Sequence, residues 1–260
     1  MVYVIKVGGN VIDNPELLQA FLKDFAAIPG KKILIHGGGK IATRIGDKLG
    51  IVSNYVDGRR ITDAETIDVV TMVYGGLVNK QLVAKLQANG CNAIGITGAD
   101  ANIIPAVKRP VKTIDYGFVG DVDAGKVNGG PLQAMLEAGL TPVFAPLTHD
   151  GQGQMLNTNA DTIASALAIA LSAHYPVRLI YCFEKKGVLK DAADDNAVIN
   201  LINREIYQQL LEEKILTAGI LPKLENAFAA IESGVKEVLI GHAEDVIRNT
   251  TPSVAGTLIR

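Results

Sequence analysis

Residues 31–49 read KKILIHGGGKIATRIGDKL, which is an apolar run, three consecutive glycines and a helical segment. The run from Lys32 to His36 is typical of a buried strand, and a helix is predicted to follow the glycines as far as Leu49. Glycine loses more conformational freedom on folding than any other residue, so three in a row are costly for a simple turn. Free N–H groups at a helix N-terminus bind anions. The stretch therefore predicts a ligand-binding loop.

The alternation of short strands and helices continues along the whole chain. Strands are predicted at Val2–Val7, Lys32–His36, Asn92–Thr97, Thr141–Ala145, Arg178–Phe183 and Glu237–Ile240, with an edge strand at Thr257–Ile259. Helices are predicted after Asn14 and Gly39, from a capping box of Thr62 and Glu65 to Asn89, and at Pro131–Ala138, Asp161–Ala173, Arg204–Glu213 and Leu221–Ser233. Hairpins are predicted at Asn54–Ile61, with Asp57-Gly58 at the turn, and within Ile103–Val122.

This order of elements predicts an α/β fold. We expect a three-layer α/β/α sandwich around a mainly parallel, open central sheet, with ligands at the carboxyl ends of its strands. A boundary near Pro176 divides the chain into an N-terminal lobe, residues 1–175, and a C-terminal lobe, residues 176–260.

Composition excludes several classes of protein. The 25 Lys+Arg and 27 Asp+Glu residues nearly cancel, which argues against a nucleic-acid binder. Two distant cysteines and four histidines at least 25 positions apart rule out a disulfide scaffold and a local metal motif, so no protein metal site is expected. The apolar start is too short for a signal sequence, and no run of 18 apolar residues occurs, so a cytoplasmic protein without membrane partners is expected.

Two glycine motifs point to phosphate or carboxylate binding. Lys6 followed by Gly8-Gly9 at a strand end suits a phosphate, although a simple turn gives the same pattern. Gly37-x-Gly39-x-x-Ala42, with Asp57 further on, also fits a dinucleotide fingerprint. We disfavour the dinucleotide interpretation because that fingerprint opens the first βαβ unit and its acidic residue ends a strand. His36 is expected to pack at the strand end rather than act as a base.

Three polar clusters lie further along the chain. Adjacent arginines, Arg59 and Arg60, point to opposite sides of a strand, so one can meet a carboxylate while the other is solvated. Asn157, Asn159 and Asp161 share one side of an extended segment and suit a polar substrate and a cation, or simply a polar loop with a helix cap. Lys223 lies in the first turn of a helix, where the dipole disfavours a cation, so either a bound anion is near or it is a surface lysine.

The ordered set of motifs resembles the amino-acid kinase superfamily, most closely the N-acetylglutamate kinases of arginine biosynthesis. The resemblance covers nearly the whole chain. It is carried by Lys6-Val-Gly-Gly, His36-Gly-Gly-Gly, Gly58-Arg-Arg60-Ile-Thr, Asn79-Lys80, Phe118-Val-Gly, Asn157-Thr-Asn159-Ala-Asp161 and Gly219-Ile-Leu-Pro-Lys223. The resemblance implies ATP-dependent phosphorylation of the γ-carboxylate of an N-acetyl- or N-succinyl-glutamate, with ATP and Mg²⁺ as cofactors.

The resemblance also implies a role for each matched position. Lys6 and Lys223 flank the transferred phosphoryl group, and Asp161 holds both lysines. The substrate residues are Gly38, Gly39, Arg60, Asn157 and Asn159, with Arg60 on the α-carboxylate. The ATP-binding residues are Gly8, Gly9, Glu184, Lys185, Gly187, Val188, Leu189, Gly219 and Leu221.

The sequence departs from the family at two places in the nucleotide lobe. The family's aspartate-valine-x-glycine reads Phe183-Glu184-Lys185-Lys186-Gly187-Val188, so Glu184 takes the place of the aspartate. The Gly-Gly-Met or Asp-Gly-Met before the late lysine reads Ala218-Gly219-Ile220. The segment Ile103–Val119 is expected to form a lid whose side chains select the acyl group.

The short segment before Lys6 predicts a homodimer insensitive to arginine, because arginine-inhibited members carry an extra N-terminal helix that links dimers into hexamers. Its interface is expected along the helix Asp63–Asn89. The remaining alternatives are a kinase for carbamate, aspartate, a nucleotide or an aminoadipate derivative, a non-catalytic amino-acid sensor on the same fold, and the dinucleotide enzyme.

Overall fold

A computed structural model of the chain describes residues 1–56, 58–191, 193–216 and 220–260. Its strands are β1 Val2–Val7, β2 Lys31–His36, β3 Tyr55–Val56, β4 Arg59–Arg60, β5 Ala93–Ile96, β6 Ala106–Lys108, β7 Gly120–Val122, β8 Thr141–Phe144, β9 Leu147–His149, β10 Met155–Asn157, β11 Val177–Phe183, β12 Leu201–Ile202, β13 Glu237–His242 and β14 Thr257–Ile259. Its α-helices are α1 Gly9–Asp13, α2 Pro15–Ala27, α3 Gly39–Lys48, α4 Ala64–Val70, α5 Asn79–Ala88, α6 Gly129–Glu137, α7 Ala160–Ser172, α8 Arg204–Glu212 and α9 Leu221–Glu232. A π-helical segment, Thr71–Val78, joins α4 to α5.

One open sheet organises the described part of the chain. Its eight strands lie in the order β12-β14-β13-β11-β1-β2-β8-β5. Among them β13 and β14 are antiparallel, and every other neighbouring pair is parallel. The sheet runs through the boundary near Pro176, since β11 pairs with β1 from Val2–Val177 to Val7–Cys182. That residues 1–175 bind the acylated amino acid and form the dimer, while residues 176–260 bind ATP, stays a prediction of the resemblance.

Side chains of the central strands alternate between two apolar cores. Val2 and Val4 of β1 pack in one core with α6, α7, α8 and α9, whereas Ile5 and Val7 pack in the other with α2, α4 and α5. Successive residues of a strand face opposite sides of its sheet, so each side is covered by its own set of helices. The predicted three-layer α/β/α sandwich with a mainly parallel sheet is confirmed.

The helix starts are partly as predicted. Asn14 caps α2 by accepting hydrogen bonds from the backbone N–H of Glu16 and Leu17. The predicted capping box at Thr62 is wrong by one residue, because Asp63 caps α4 and accepts from Thr66 N at 2.8 Å. The backbone of Thr62 instead forms hydrogen bonds with Tyr116 and Phe118. Thr62 therefore links the β3–β4 hairpin to the loop that precedes β7 and does not cap the helix.

The prediction that the strand Thr257–Ile259 lies at an edge of the sheet is wrong. β14 lies between β13 and β12, antiparallel to the first and parallel to the second. The sheet continues to Leu201–Ile202, a strand of two residues that is too short to show an alternating pattern.

Both cysteines, Cys91 and Cys182, are buried and free. Burial raises the pKa of the Cys182 thiol to about 12, so this group is protonated at neutral pH. Within the part of the chain that the structure describes, none of the helices is long and apolar enough to cross a membrane.

Candidate functional site

Three strands end side by side at one edge of the sheet. Val7 is in register with His36 of β2 and with Cys182 of β11, so the glycine loops after β1 and β2 emerge next to each other. The loops are in contact, because a Cβ atom on Gly37 would lie 3.4 Å from the nitrogen of Gly9. Gly38 has a φ of +152°, a backbone conformation that favours glycine. Two cavities open on either side of this contact.

The first cavity has a volume of about 520 Å³, a size typical of small-molecule sites. Its lining includes the predicted residues Lys6, Gly8, Gly9, Glu184, Lys185, Gly187, Val188, Leu189 and Lys223, together with Asn10, Val11, Cys182, Phe183, Ile215, Ile220 and Ile240. Leu221 is absent from this lining and packs against the apolar core below α9. Gly219, also predicted to bind ATP, lies outside the described residues, as does Asp57 of the predicted hairpin turn.

The second cavity is smaller, about 240 Å³. Its lining contains all of the predicted substrate residues, namely Gly38, Gly39, Arg60, Asn157 and Asn159. Several other residues of the lining are not among those predicted, notably Tyr55, Tyr74 and Arg109. They lie on a hairpin, a helix and a loop that are far apart in the sequence. No motif links the three positions, so the sequence does not predict that they line one cavity.

Opposite charges lie where the two cavities meet. The ammonium of Lys6 is 2.9 Å from Oδ1 of Asp161, and the Lys6 side chain is 11% exposed. Asp161 directly follows Asn159 and Ala160, which line the second cavity. Lys6 and Lys223 both border the first cavity. The three residues predicted to be catalytic therefore lie together at the junction.

The register of the sheet explains this grouping. Lys6 pairs with Tyr181 of β11, and Phe183, two residues further on, projects from the same face of that strand. The helices that cover this face, α7 and α9, carry Asp161 and Lys223 in their first turns. Side chains distant in sequence are thus brought together by two strand ends and two helix starts.

The electrostatics of Lys223 are unusual. Burial is the largest influence and lowers the pKa of Lys223. The negative charge of Asp161 raises this pKa, the positive charge of Lys6 lowers it further, and the negative charge of Glu184 raises it. A lysine in the first turn of a helix is also disfavoured by the helix dipole. Its ammonium lies over the ring of Phe183, 3.6 Å from the centroid, and makes no ion pair like that of Lys6 with the residues that the structure describes. That Asp161 holds both lysines stays a prediction: it pairs directly with Lys6, and its charge acts on Lys223.

Arg60 is held rigidly at the edge of the second cavity. Its guanidinium donates to the carbonyl of Gly39 at 2.8 Å and to the hydroxyl of Thr43 at 2.9 Å, and it also bonds to Ser53. It lies over the ring of Tyr55, 4.8 Å from the centroid. Arg60 is buried whereas Arg59 is exposed, as the alternation along a strand predicts.

The polar segment from Asn157 to Asp161 changes conformation along its length. Nδ2 of Asn157 donates to the hydroxyl of Thr62 at 3.0 Å. Oδ1 of Asn159 caps α7, accepting from the N–H groups of Asp161 and Thr162 at 2.7 and 3.2 Å. The extended segment therefore ends at Asn159. Asp161 belongs to the helix and faces Lys6, so the prediction that all three residues share one side is wrong.

The β6–β7 hairpin borders the second cavity. Arg109 of this segment lines the cavity, and its Nε and Nη2 donate to Oδ1 of Asp121 at 2.9 and 2.6 Å. The hairpin is tied to the polar segment, because the N–H of Asn157 donates to the carbonyl of Phe118 at 2.9 Å. Its action as a lid that selects the acyl group stays a prediction.

His36 is fully buried below the glycine loop. Its Nδ1 is 2.7 Å from the carbonyl oxygen of Gly37, an atom that only accepts hydrogen bonds, so Nδ1 carries the proton. Nε2 then accepts from Nδ2 of Asn79 at 3.2 Å, and the same amide donates to the carbonyl of Val143 at 2.9 Å. Burial lowers the pKa of His36 to about 4. The ring is therefore a neutral packing group at the strand end.

This burial predicts a pH-dependent stability. Since the pKa of His36 falls from 6.5 when unfolded to about 4 when folded, the unfolded chain binds the extra proton between these values. The free energy of unfolding should fall as pH is lowered from 6.5 towards 4, by up to about 3 kcal/mol from this group alone. Urea titrations at pH 7.5, 6 and 5 measure it, with His36→Asn as the reference that lacks the titration. Equal pH slopes for the two proteins would contradict the assignment.

Comparisons with known proteins agree with one another. The model of the amino acid kinase family matches residues 1–242. The acetylglutamate kinase of Cytophaga hutchinsonii is 60% identical over 246 residues, which are 94% of this chain and 92% of that protein. The acetylglutamate kinase of Bacteroides thetaiotaomicron is 58% identical and is covered to 95%, as is this chain. The crystal structure of smu.665 from Streptococcus mutans UA159 superimposes with a TM-score of 0.74 at 28% identity, covering 99% of this chain and 98% of that one.

Proposed function

Because the chain belongs to the amino acid kinase family, in company with acetylglutamate kinases, we propose that it transfers the γ-phosphoryl group of ATP to the γ-carboxylate of an N-acyl-L-glutamate. The products are an acyl phosphate and ADP, and the reaction belongs to arginine biosynthesis. Since its cosubstrate is ATP, we propose a cytoplasmic enzyme.

One observation supports the proposal above the others. Two lysines and an aspartate stand at the junction of two cavities of different size, with Lys6 and Asp161 paired at 2.9 Å. A kinase of this type must bring two anions together, the triphosphate and the acceptor carboxylate. We assign ATP to the larger cavity and the N-acylglutamate to the smaller, so that the phosphoryl group passes between them over Lys6 and Lys223.

The chemistry needs charge and position more than proton transfer. A carboxylate is already a nucleophile at neutral pH, so it requires no general base. Lys6 and Lys223 stabilise the charge on the transferred group, and the N–H groups of the two glycine loops add preorganised donors. Arg60 binds the α-carboxylate and thereby directs the γ-carboxylate towards the phosphorus atom in line. Asn157 and Asn159 complete the polar wall of the substrate site.

Magnesium enters this scheme as part of MgATP. Within the described residues, no group of three or more His, Cys, Asp or Glu side chains is gathered closely enough to hold a metal ion. Mg²⁺ is commonly held by substrate phosphates and water with one or two carboxylates. Glu184 is the carboxylate that lines the wall of the first cavity beside Lys185, and we expect it to face the bound nucleotide and its cation.

A coupled ADP-release assay with hydroxylamine trapping tests the function. N-acetyl- and N-succinyl-L-glutamate are compared with glutamate, aspartate and carbamate as acceptors. We expect hydroxamate from an N-acylglutamate and not from free glutamate, and the ratio between the two acyl compounds identifies the preferred one. Hydroxamate from aspartate alone, or ADP release with carbamate alone, would assign the chain to another kinase. Ligand binding without any turnover would indicate a sensor.

We also propose that the enzyme is a homodimer built on the helix from Ala64 to Ala88. This helix exposes Met72 and Leu77, which are 56% and 41% accessible. The neighbouring helix α3 packs against α4. Leu49 and Val52, which follow the C-terminal end of α3, are exposed as well. Exposed apolar side chains grouped in this way are typical of an interface between protein surfaces.

Charge introduced into that helix should separate the dimer. Sedimentation velocity of the wild-type protein should give a mass of about 55 kDa, twice the 27.5 kDa of the chain. Leu77→Asp should shift this towards the monomer, because an unpaired carboxylate is costly to bury. Leu201→Asp is the matched control, since Leu201 is equally exposed, 41%, on the distant strand β12. A dimer that survives Leu77→Asp, or dissociates equally with Leu201→Asp, would place the interface elsewhere.

A further inference from the structure

Phe183 lies under the ammonium groups of both site lysines. Its ring centroid is 3.6 Å from Nζ of Lys223 and 5.1 Å from Nζ of Lys6. It is the last residue of β11, and it stacks on Tyr181, two residues earlier, at 6.1 Å with an angle of 19° between the rings. The phenolic hydroxyl of Tyr181 donates to the carbonyl of Asp161 at 3.3 Å. The ring of Phe183 therefore packs against Tyr181, which is itself hydrogen-bonded to α7.

The two lysines need such a partner. Lys6 has Asp161 within 2.9 Å, whereas Lys223 is half-buried at the start of α9, where the helix dipole opposes its charge. The two ammonium groups also repel each other. The charges of Asp161 and Glu184 offset part of this cost, but a carboxylate in direct contact with Lys223 would also repel an incoming triphosphate. The face of an aromatic ring attracts a cation through its quadrupole and carries no net charge.

We propose that Phe183 is a positioning residue, whose ring face holds the ammonium of Lys223, and more weakly that of Lys6, at the phosphoryl-transfer position. The proposal rests on the phosphotransferase function proposed above. The ring occupies one side of the Lys223 ammonium. Among the described residues, no hydrogen-bond acceptor engages the other donors of Lys223, and both Lys223 and Phe183 line the first cavity. A lysine placed before the nucleotide arrives needs no reordering during the reaction.

Fluorination of the ring separates its electrostatic role from its packing. Each fluorine weakens the quadrupole and changes the volume little, so 4-fluoro-, 3,5-difluoro- and 3,4,5-trifluorophenylalanine at position 183 form a graded series. We expect log kcat to fall steadily along the series, to about one-tenth of the wild-type value, with smaller changes in the KM of the N-acylglutamate. Fluorination of Phe21, which is buried on α2, should leave kcat unchanged. A constant kcat along the Phe183 series would overturn the proposal.

Conventional variants give an independent check. Phe183→Leu keeps an apolar side chain but removes the ring face, and it should lower kcat about tenfold. Phe183→Tyr retains the face and should stay within threefold of the wild type. An equal loss in both variants would show that the site requires the shape of phenylalanine and not its electron density.

The position of the lysine can be observed without turnover. In protein with ¹³C-labelled lysine, the Cε protons of Lys223 should show an upfield ring-current shift, with the signal assigned through its loss in Lys223→Arg. The shift should disappear in Phe183→Leu and persist in Phe183→Tyr; an unshifted wild-type signal would refute the contact. If no N-acylglutamate is phosphorylated, the proposed function fails, while this spectrum still decides whether Phe183 holds Lys223.

Discussion

Replacement of Lys223 by alanine is expected to lower kcat by about 10³-fold, the size of effect seen when one preorganised donor to a transition state is lost. Lys223 borders the larger cavity and lies near the charges of Asp161 and Lys6. In the proposed reaction its ammonium stabilises charge on the transferred phosphoryl group and makes little contact with the N-acylglutamate. The KM of the N-acylglutamate should therefore change less than threefold. Single-turnover kinetics with saturating ATP measure the chemical step directly.

The controls for this variant are stability and a neighbouring lysine. Because burial disfavours the Lys223 charge, alanine should leave the free energy of unfolding unchanged or slightly raised. Lys186→Ala removes the same charge from an exposed side chain that bonds to Asn196 and does not line the cavity, so its kcat should equal that of the wild type. A kcat of Lys223→Ala close to the wild-type value would refute the assigned role.

Arg60→Lys is expected to raise the KM of the N-acylglutamate by about 10²-fold, while the KM of ATP stays within threefold. Lysine keeps the charge but lacks the planar fork that meets a carboxylate with two parallel hydrogen bonds. The substitution also removes the hydrogen bonds that Arg60 donates to Gly39 and Thr43. The glycine loop is then held less firmly beside the proposed substrate site. Initial rates over a matrix of both substrate concentrations separate the two KM values.

Arg44→Lys is the matched control for Arg60→Lys. Arg44 is an exposed residue on α3, next to Thr43, and it lines neither cavity. Its replacement should alter neither KM. If Arg60→Lys raises the KM of ATP instead, the smaller cavity is not the acceptor site, and the two ligands must be reassigned.

The sequence by itself determined the layers of the fold and marked the residues to which the proposed chemistry is assigned. Short apolar runs alternating with amphipathic segments specify strands and helices locally, because side-chain periodicity follows from backbone geometry. The parallel sheet follows from that alternation, since a helix between strands returns the chain in the same direction. Lys6 could be singled out as a cation before two glycines at a strand end, Arg60 as one of two adjacent arginines that face opposite sides of a strand, and Lys223 as a cation in the first turn of a helix.

Only the tertiary structure decided which of these residues meet, and how. The pairing of Lys6 with Asp161 spans 155 positions, the difference between their residue numbers, and depends on the register of β1 with β11 and on α7 covering that face. The position of Phe183 under two ammonium groups could not be predicted from the sequence, in which it is simply the last apolar residue of a strand. The cap at Asp63 and the interior position of β14 were likewise settled by contacts with distant segments. Local patterns record the backbone preference of a segment, whereas distances between side chains depend on how strands are ordered and which helix covers each face.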